Sequence, residues 1–213
     1  MRTDLKDERA RLVESIASRG VTDRAVLTAM DEMPREAFVD VDAAELAYRD
    51  AAMPIGAGQT ISQPYIVARM TQALELKPQD RVLEIGTGSG YGAAILGRIA
   101  RQVYTVERHG ELADAARERL AALGVHNVVV HHGDGRDGWP EHAPYDAIAV
   151  TAAARTVPQR LLHQLAVHGR LVMPTGSPSG VHQLIRLRRT GSDEFTYDTL
   201  ERVRFVPLLA GSV

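Results

Sequence analysis

The sequence predicts a doubly wound α/β fold built on a mostly parallel, seven-stranded sheet. Between residues 81 and 173, short aliphatic runs alternate with helical segments, beginning with RVLEI at residues 81–85. This alternation is typical of a parallel sheet covered on both faces. A glycine cluster directly after the first run marks a tight strand-to-helix turn, and a late tract that alternates apolar and charged residues predicts antiparallel strands at the sheet edge.

Two amphipathic helices are predicted at the start of the chain. Apolar residues recur at helical spacing between residues 4 and 18 among alternating acids and bases, and Gly20 ends this segment. Thr22 is predicted to cap a second short helix, which Pro34 stops.

A segment rich in glycine, proline and small polar residues follows, from residue 48 to residue 64. This composition suits neither a regular helix nor an interior strand, so we expect an ordered loop. A helix is predicted over residues 65–76. We therefore divide one compact unit into residues 1–64, with the helices and an active-site loop, and residues 65–213, with the sheet.

The remaining elements follow from hydrophobic periodicity. The predicted strands are residues 81–85, 102–106, 127–131, 146–150, 170–173, 183–189 and 200–206. The predicted helices are residues 91–100, 112–123 and 157–166. The last two strands have no convincing helix between them, which predicts an antiparallel hairpin.

Composition excludes several classes of function. Apolar residues make up 45% and charged residues 24% of the 213 positions, and the net charge is 25 − 27 = −2, so nothing attracts the whole molecule to nucleic acid. There is no cysteine, which removes disulfides, thiolate zinc sites and a cysteine nucleophile. No run reaches the roughly 20 apolar residues of a bilayer helix, and the opening is too charged for a secretory signal. We expect a cytoplasmic protein without a membrane partner.

Three glycines at alternate positions, Gly86, Gly88 and Gly90, follow the first predicted strand. Glycines there let a ligand approach the backbone closely, and ligands bind at the carboxyl ends of such strands. A dinucleotide fingerprint would have glycine or alanine where Tyr91 stands, and the Lys and Ser or Thr of a P-loop are absent. The segment predicts either a ligand site without a phosphate binder or a tight structural turn.

Acidic residues follow the next two strands. Glu107 ends the second, where a carboxylate can accept hydrogen bonds from both ribose hydroxyls. Asp134, between Gly133 and Gly135, follows the third and could reach an adenine amino group. Either acid alone would also suit a solvated position or a turn. Together with the glycines they describe a nucleoside pocket, which S-adenosyl-L-methionine fits because it is an adenosine that bears a sulfonium and an amino acid.

The methyl acceptor is constrained by TAAA at residues 151–154, after the fourth strand. A flipped base has nothing to stack on among alanines, and methylation at C5 of a pyrimidine needs a cysteine. Base methylation by these two routes is therefore disfavoured. Histidines show no HExxH spacing, so we expect no metal site.

The chain resembles the protein-L-isoaspartate O-methyltransferases. The resemblance rests on PIGAGQTISQP at residues 54–64, VLEIGTGSGY at residues 82–91, GDG at residues 133–135 and RFVPL at residues 204–208, and it covers nearly the whole chain from about residue 24. It implies a class I, Rossmann-like methyltransferase that uses S-adenosyl-L-methionine and releases S-adenosyl-L-homocysteine. The implied acceptor is the free α-carboxylate of L-isoaspartyl residues in damaged peptides and proteins, whose ester re-forms a succinimide.

Matched positions in the resemblance imply the site residues. Ser62 is expected to be catalytic, because it would hydrogen-bond the acceptor carboxylate and orient one oxygen toward the methyl group without acting as a nucleophile. The alternative is a loop hydroxyl that bonds its own backbone. The expected cofactor-binding residues are Thr60, Glu84, Gly86, Gly88, Ser89, Glu107, Arg108, Asp134 and Gly135. The expected substrate-binding residues are Ile61, Ser62, Gln63, Arg204, Val206 and Leu208.

One departure from the family is His168, where glycine is common, and we expect a changed turn there. A monomer is expected. Two other functions stay open: an O-methyltransferase for another carboxylate or a peptide natural product, and a catalytically silent protein that binds the cofactor as a regulator.

Overall fold

Helices and a small hairpin form an N-terminal layer in the computed structural model, which describes residues 4–177 and 180–213. In chain order the layer contains α1 (Leu5–Ser18), α2 (Arg24–Glu32), two short 3-10 turns (Arg35–Phe38 and Val41–Leu46), β1 (Met53–Gly56), β2 (Gln59–Ile61) and α3 (Pro64–Ala73). The sequence predicted both helices. Asp23, not Thr22, caps α2, because the Asp23 carboxylate directly precedes the helix and accepts from the backbone of Ala25 and Val26.

The segment predicted as a loop, residues 48–64, contains the β1–β2 hairpin. Met53 pairs with Ile61 and Pro54 pairs with Thr60 in antiparallel register. Proline is tolerated because this two-stranded sheet lies apart from the main one, so its strands are edges.

A seven-stranded sheet carries the rest of the chain and confirms the predicted fold class. The elements are β3 (Arg81–Ile85), α4 (Tyr91–Ile99), β4 (Gln102–Glu107), α5 (Gly110–Ala122), β5 (Val128–His132), β6 (Tyr145–Val150), α6 (Gln159–Gln164), β7 (Leu165–Thr175), β8 (His182–Arg189) and β9 (Phe195–Val203). The strand order is β5-β4-β3-β6-β7-β8-β9, and the first five strands in that order are parallel. The antiparallel β8–β9 pair confirms the predicted hairpin, but β9 covers Phe195–Val203 and not residues 200–206, because it pairs with the whole length of β8.

The structure corrects the boundary between α6 and β7. A helix was predicted over residues 157–166, but it ends at Gln164 and β7 begins at Leu165. The register of β7 against β6 shifts after Leu165, and His168 has φ of +66° at this irregularity. This is the left-handed region, which glycine adopts without strain and histidine does not, so the backbone at His168 is strained.

The N-terminal layer packs against the helices of the sheet. Ile16 and Met30 share one buried hydrophobic cluster with Tyr91 and Ile95 of α4 and with Leu120 of α5. Residues 4–64 therefore cover one face of the sheet's helices, next to the carboxyl ends of β3 and β4. None of the helices described in residues 4–177 and 180–213 is both long and apolar enough to span a bilayer.

Candidate functional site

A cavity of about 790 Å³ opens where the carboxyl ends of β3, β4 and β6 meet the β1–β2 hairpin and the segment after β9. The chain order reverses between β3 and β6, which is where ligands bind in doubly wound sheets. The predicted site residues that line it are Thr60, Ile61, Ser62, Gln63, Glu84, Gly86, Gly88, Ser89, Glu107, Arg108, Gly135, Arg204, Val206 and Leu208. Only Asp134, among the predicted residues, does not.

The floor of the cavity is the turn after β3. Gly86 has φ of +94°, and a Cβ built on it would lie 2.2 Å from the Thr151 hydroxyl oxygen. That hydroxyl donates to the carbonyl oxygens of Ile85 and Gly86, at 3.0 and 2.9 Å. Only glycine fits here, and its missing side chain leaves the backbone of the turn open to a ligand.

Glu107 joins the glycine turn to the end of β4. Its carboxylate is 4% exposed and accepts from the Gly88 amide at 2.8 Å and from the His109 amide at 3.0 Å. Each carboxylate oxygen accepts from one amide, so each oxygen retains a lone pair for a ligand hydroxyl. The carboxylate is held rigidly where the sequence predicted a ribose partner.

Glu84 is buried below the turn, 1% exposed. The Thr105 hydroxyl donates to the Glu84 carboxylate at 2.6 Å, and the Thr87 hydroxyl oxygen lies 2.7 Å from the Thr105 hydroxyl oxygen. Burial raises the pKa of Glu84 from 4.5 to about 8, with a smaller contribution from the Glu107 charge, although Thr105 opposes the shift. The Glu84 carboxyl is therefore largely protonated at neutral pH before any cationic ligand enters.

This shift predicts a pH-dependent stability. The folded state holds the Glu84 proton more tightly than the unfolded state. The stabilisation that Glu84 contributes is therefore fully present below pH 4.5 and is lost as the pH rises through about 8. The Glu84→Gln variant lacks this titration. Between pH 6 and pH 8, urea unfolding should show the wild-type protein losing roughly 2 kcal/mol relative to this variant. Parallel stability curves for the two proteins would show that Glu84 keeps an ordinary pKa.

Ser62 lies between β2 and α3 and is half-buried. Its hydroxyl has no hydrogen-bonding partner within the part of the chain that the structure describes, which disfavours the alternative of a hydroxyl bonded to its own backbone. Its carbonyl oxygen accepts from Arg35 at 2.8 Å. The hydroxyl is therefore available to a ligand in the cavity.

Asp134 lies beside the cavity and anchors the C-terminal segment. Its carboxylate accepts from the Gly211 amide at 2.7 Å and from the Arg136 amide and guanidinium at 2.9 and 3.1 Å. Partial burial works to raise the pKa of Asp134, but these hydrogen bonds outweigh it and hold the pKa below its usual value. Its contact with an adenine amino group stays a prediction, and the neighbouring Gly135 does line the cavity.

Several groups around the cavity were missed by the sequence analysis. They are Arg35, Asp50, Thr105, Thr151, Val181 and Arg202. Thr105 is a polar residue at a buried position in the strand beside the glycine turn, which is a local signal. Arg35 and Asp50 lie in irregular segments and had no such signal. Within residues 4–177 and 180–213, no group of three or more His, Asp or Glu side chains could hold a metal ion.

Comparison with known proteins gives a consistent result. Residues 7–212 match the family model for protein-L-isoaspartate(D-aspartate) O-methyltransferase. The chain is 61% identical over 196 residues to protein-L-isoaspartate O-methyltransferase 2 of Pelobacter propionicus, covering 92% of this chain and 87% of the relative. It is 54% identical over 208 residues to protein-L-isoaspartate O-methyltransferase 1 of Rhodopseudomonas palustris strain HaA2, covering 97% and 85%.

Solved structures agree with these relatives. A protein-L-isoaspartate O-methyltransferase superposes with a TM-score of 0.84 at 28% identity, covering 95% of this chain and 66% of that one. A Plasmodium falciparum structure described as a protein of the same activity, in complex with S-adenosyl-L-homocysteine, superposes with a TM-score of 0.81 at 25% identity, covering 98% and 99%.

Proposed function

Because this chain belongs to the protein-L-isoaspartate O-methyltransferase family, we propose that its cavity is where S-adenosyl-L-methionine meets the free α-carboxylate of an isoaspartyl residue. The protein is a methyltransferase that uses this cofactor to repair damaged proteins. The single observation that carries the proposal is that the glycine turn, Glu107 and the free Ser62 hydroxyl line one cavity. A donor and an acceptor can therefore be held side by side.

The cavity residues fit the cofactor. Gly86 and Gly88 offer open backbone to the methionine part, and Glu107 offers two oxygens to the ribose hydroxyls, whose hydrogen bonds to a carboxylate are among the stronger ones. Gly135 also lines the cavity, and only glycine packs there, since a Cβ would lie 2.4 Å from the Ile85 side chain. When bound, the cofactor supplies an electrophilic methyl group on a sulfonium.

The acceptor needs orientation more than activation. A carboxylate with a pKa of about 3.5 to 4 is already ionised at neutral pH, so no general base is required. We propose that the Ser62 hydroxyl donates to one carboxylate oxygen and aims the other at the methyl group, with Ile61, Gln63 and the Arg204 segment enclosing the peptide. Alignment of this kind is worth several kcal/mol of barrier.

We further propose that the two parts of the chain divide this work. Residues 1–64 supply Thr60 and the loop with Ser62, and residues 65–213 supply the other groups around the cofactor and the Arg204 segment beside the acceptor. One chain provides every group that the mechanism uses, which supports a monomer, and the absence of cysteine suits the cytoplasm. Size-exclusion chromatography with light scattering tests the monomer, and fractionation of the source cells tests the location.

A matched pair of peptides tests the function. The protein is incubated with methyl-labelled cofactor and two peptides that differ only in an isoaspartyl or a normal aspartyl link. Base-labile label on the isoaspartyl peptide alone supports the proposal. Label on neither peptide, with cofactor still bound in calorimetry, would point to another acceptor or to a silent regulator.

The role of Ser62 predicts a specific kinetic change. In Ser62→Ala, loss of one hydrogen bond to a charged carboxylate should lower kcat/KM for the isoaspartyl peptide by about 10- to 150-fold, since such bonds contribute about 1.5–3 kcal/mol. The affinity for S-adenosyl-L-homocysteine should stay within about twofold of wild type. Ser192→Ala, at an exposed serine far along the chain, is the control. Weaker cofactor binding with an unchanged turnover rate at saturating cofactor would contradict the assignment.

A further inference from the structure

Arg35 has the largest side chain among the described residues that are fully buried, with 0% exposure. Its Nε donates to the Ala47 carbonyl oxygen at 2.9 Å, and its Nη2 donates to the Ser62 carbonyl oxygen at 2.8 Å. Its Nη1 is buried without a hydrogen-bonding partner. The side chain thus reaches from the first 3-10 turn to the acceptor loop.

A guanidinium in this environment is costly. Removing a charge from water is unfavourable unless the charge is paired, and no carboxylate lies within ion-pair distance of Arg35 among residues 4–177 and 180–213. Burial lowers the pKa of Arg35 for the same reason. The groups that offset this cost are the two carbonyl oxygens, the Tyr91 ring and the nearby Asp50 charge.

Asp50 holds the residues that follow Ser62. Its carboxylate accepts from the Tyr65 amide at 2.9 Å and from the Gln63 side chain at 2.7 Å, and Arg19 forms an ion pair with it. Two charged side chains of the N-terminal layer therefore hold the Ser62 carbonyl, the Gln63 side chain and the Tyr65 amide in the first turn of α3.

Arg35 also contacts the cofactor side of the cavity. Its guanidinium carbon lies 4.9 Å from the centre of the Tyr91 ring, a cation–π contact with the first residue of α4. Tyr91 lines the cavity directly after the glycine turn. One buried side chain thus spans the acceptor loop and the start of the helix behind the cofactor turn.

We propose that Arg35 is a positioning residue that fixes the Ser62 backbone, and through it the Ser62 hydroxyl, against the glycine turn, while Asp50 fixes the residues after Ser62. The inference rests on the proposed role of Ser62 and adds the groups that hold it. Arg35 does not line the cavity. Its effect reaches the reaction through the geometry of the loop.

Three variants test this role. Arg35→Met removes the charge at similar length, and Arg35→Lys keeps a charge that cannot reach both carbonyls, so a folded variant is available if the first one fails to fold. Arg98→Met is the matched control, because Arg98 also joins the N-terminal layer to α4, through Glu32, but on the exposed surface. Each protein is measured by amide hydrogen exchange and by steady-state kinetics.

Both Arg35 variants should accelerate exchange at least tenfold in the segment from residue 59 to residue 66, with Arg98→Met unchanged. Their KM for the isoaspartyl peptide should rise at least fivefold, whereas the dissociation constant for S-adenosyl-L-homocysteine stays within twofold. Unchanged exchange in that segment, or equal kinetic losses in Arg98→Met, would overturn the proposal. If the wild-type protein methylates neither peptide, the proposed function fails, and the exchange comparison still decides whether Arg35 holds the loop.

Discussion

Replacing Gly86 with alanine is expected to lower the free energy of unfolding by roughly 2–5 kcal/mol and to abolish cofactor binding. Two costs add. An L-residue held at a φ of +94° pays conformational strain, and a Cβ 2.2 Å from the Thr151 hydroxyl oxygen must displace a side chain already bonded to two carbonyls. For a chain of this length the melting temperature should fall by roughly 5–15 °C, as measured by calorimetry.

Gly20 provides the control, since its φ is +96° and nothing lies within 4 Å of a Cβ built there. Gly20→Ala therefore introduces backbone strain without crowding a neighbouring side chain. The double variant Gly86→Ala with Thr151→Ala should recover part of the lost stability, because it removes the crowded oxygen. If Gly86→Ala were no worse than Gly20→Ala, Thr151 would not confine the turn.

The parallel core of the fold is predictable because its signal is local. The strand at Arg81–Ile85 is buried over its last four residues, of which all but Glu84 are aliphatic, and a helix and another strand follow it in the same order. The β1–β2 hairpin was missed because its strands have only four and three residues and contain proline and glycine. The end of α6 was misjudged because an apolar run such as Leu165–Ala166 suits either a helix or a buried strand.

The residues of the candidate site also differ in whether a local sequence pattern can reveal them. Glu107 follows a predicted strand, so residue type and position were enough to single it out, whereas Ser62 was singled out by the resemblance of the segment at residues 54–64 to a known family. Arg35 acts through carbonyls 12 and 27 residues away, and Asp134 is engaged by an amide 77 residues away. Such contacts depend on how distant segments pack, which no local pattern in one sequence encodes.

Glu107→Ala is expected to weaken S-adenosyl-L-homocysteine binding by about 10- to 150-fold, because hydrogen bonds to a charged group contribute about 1.5–3 kcal/mol. The structure adds a second reason for a large effect. The same carboxylate holds the Gly88 and His109 amides, so its removal also frees the glycine turn that faces the ligand. Isothermal titration calorimetry measures the affinity directly.

Glu107→Gln separates the two contributions, because its amide keeps one oxygen for one backbone N–H but offers no charge to the ribose. It should therefore bind with an affinity between those of wild type and Glu107→Ala. Glu111→Ala, an exposed acid in the first turn of α5, changes the net charge equally and should bind like wild type. If Glu107→Ala bound S-adenosyl-L-homocysteine as tightly as Glu111→Ala does, the ribose would have to lie elsewhere. The Glu107 carboxylate would then only stabilise the glycine turn.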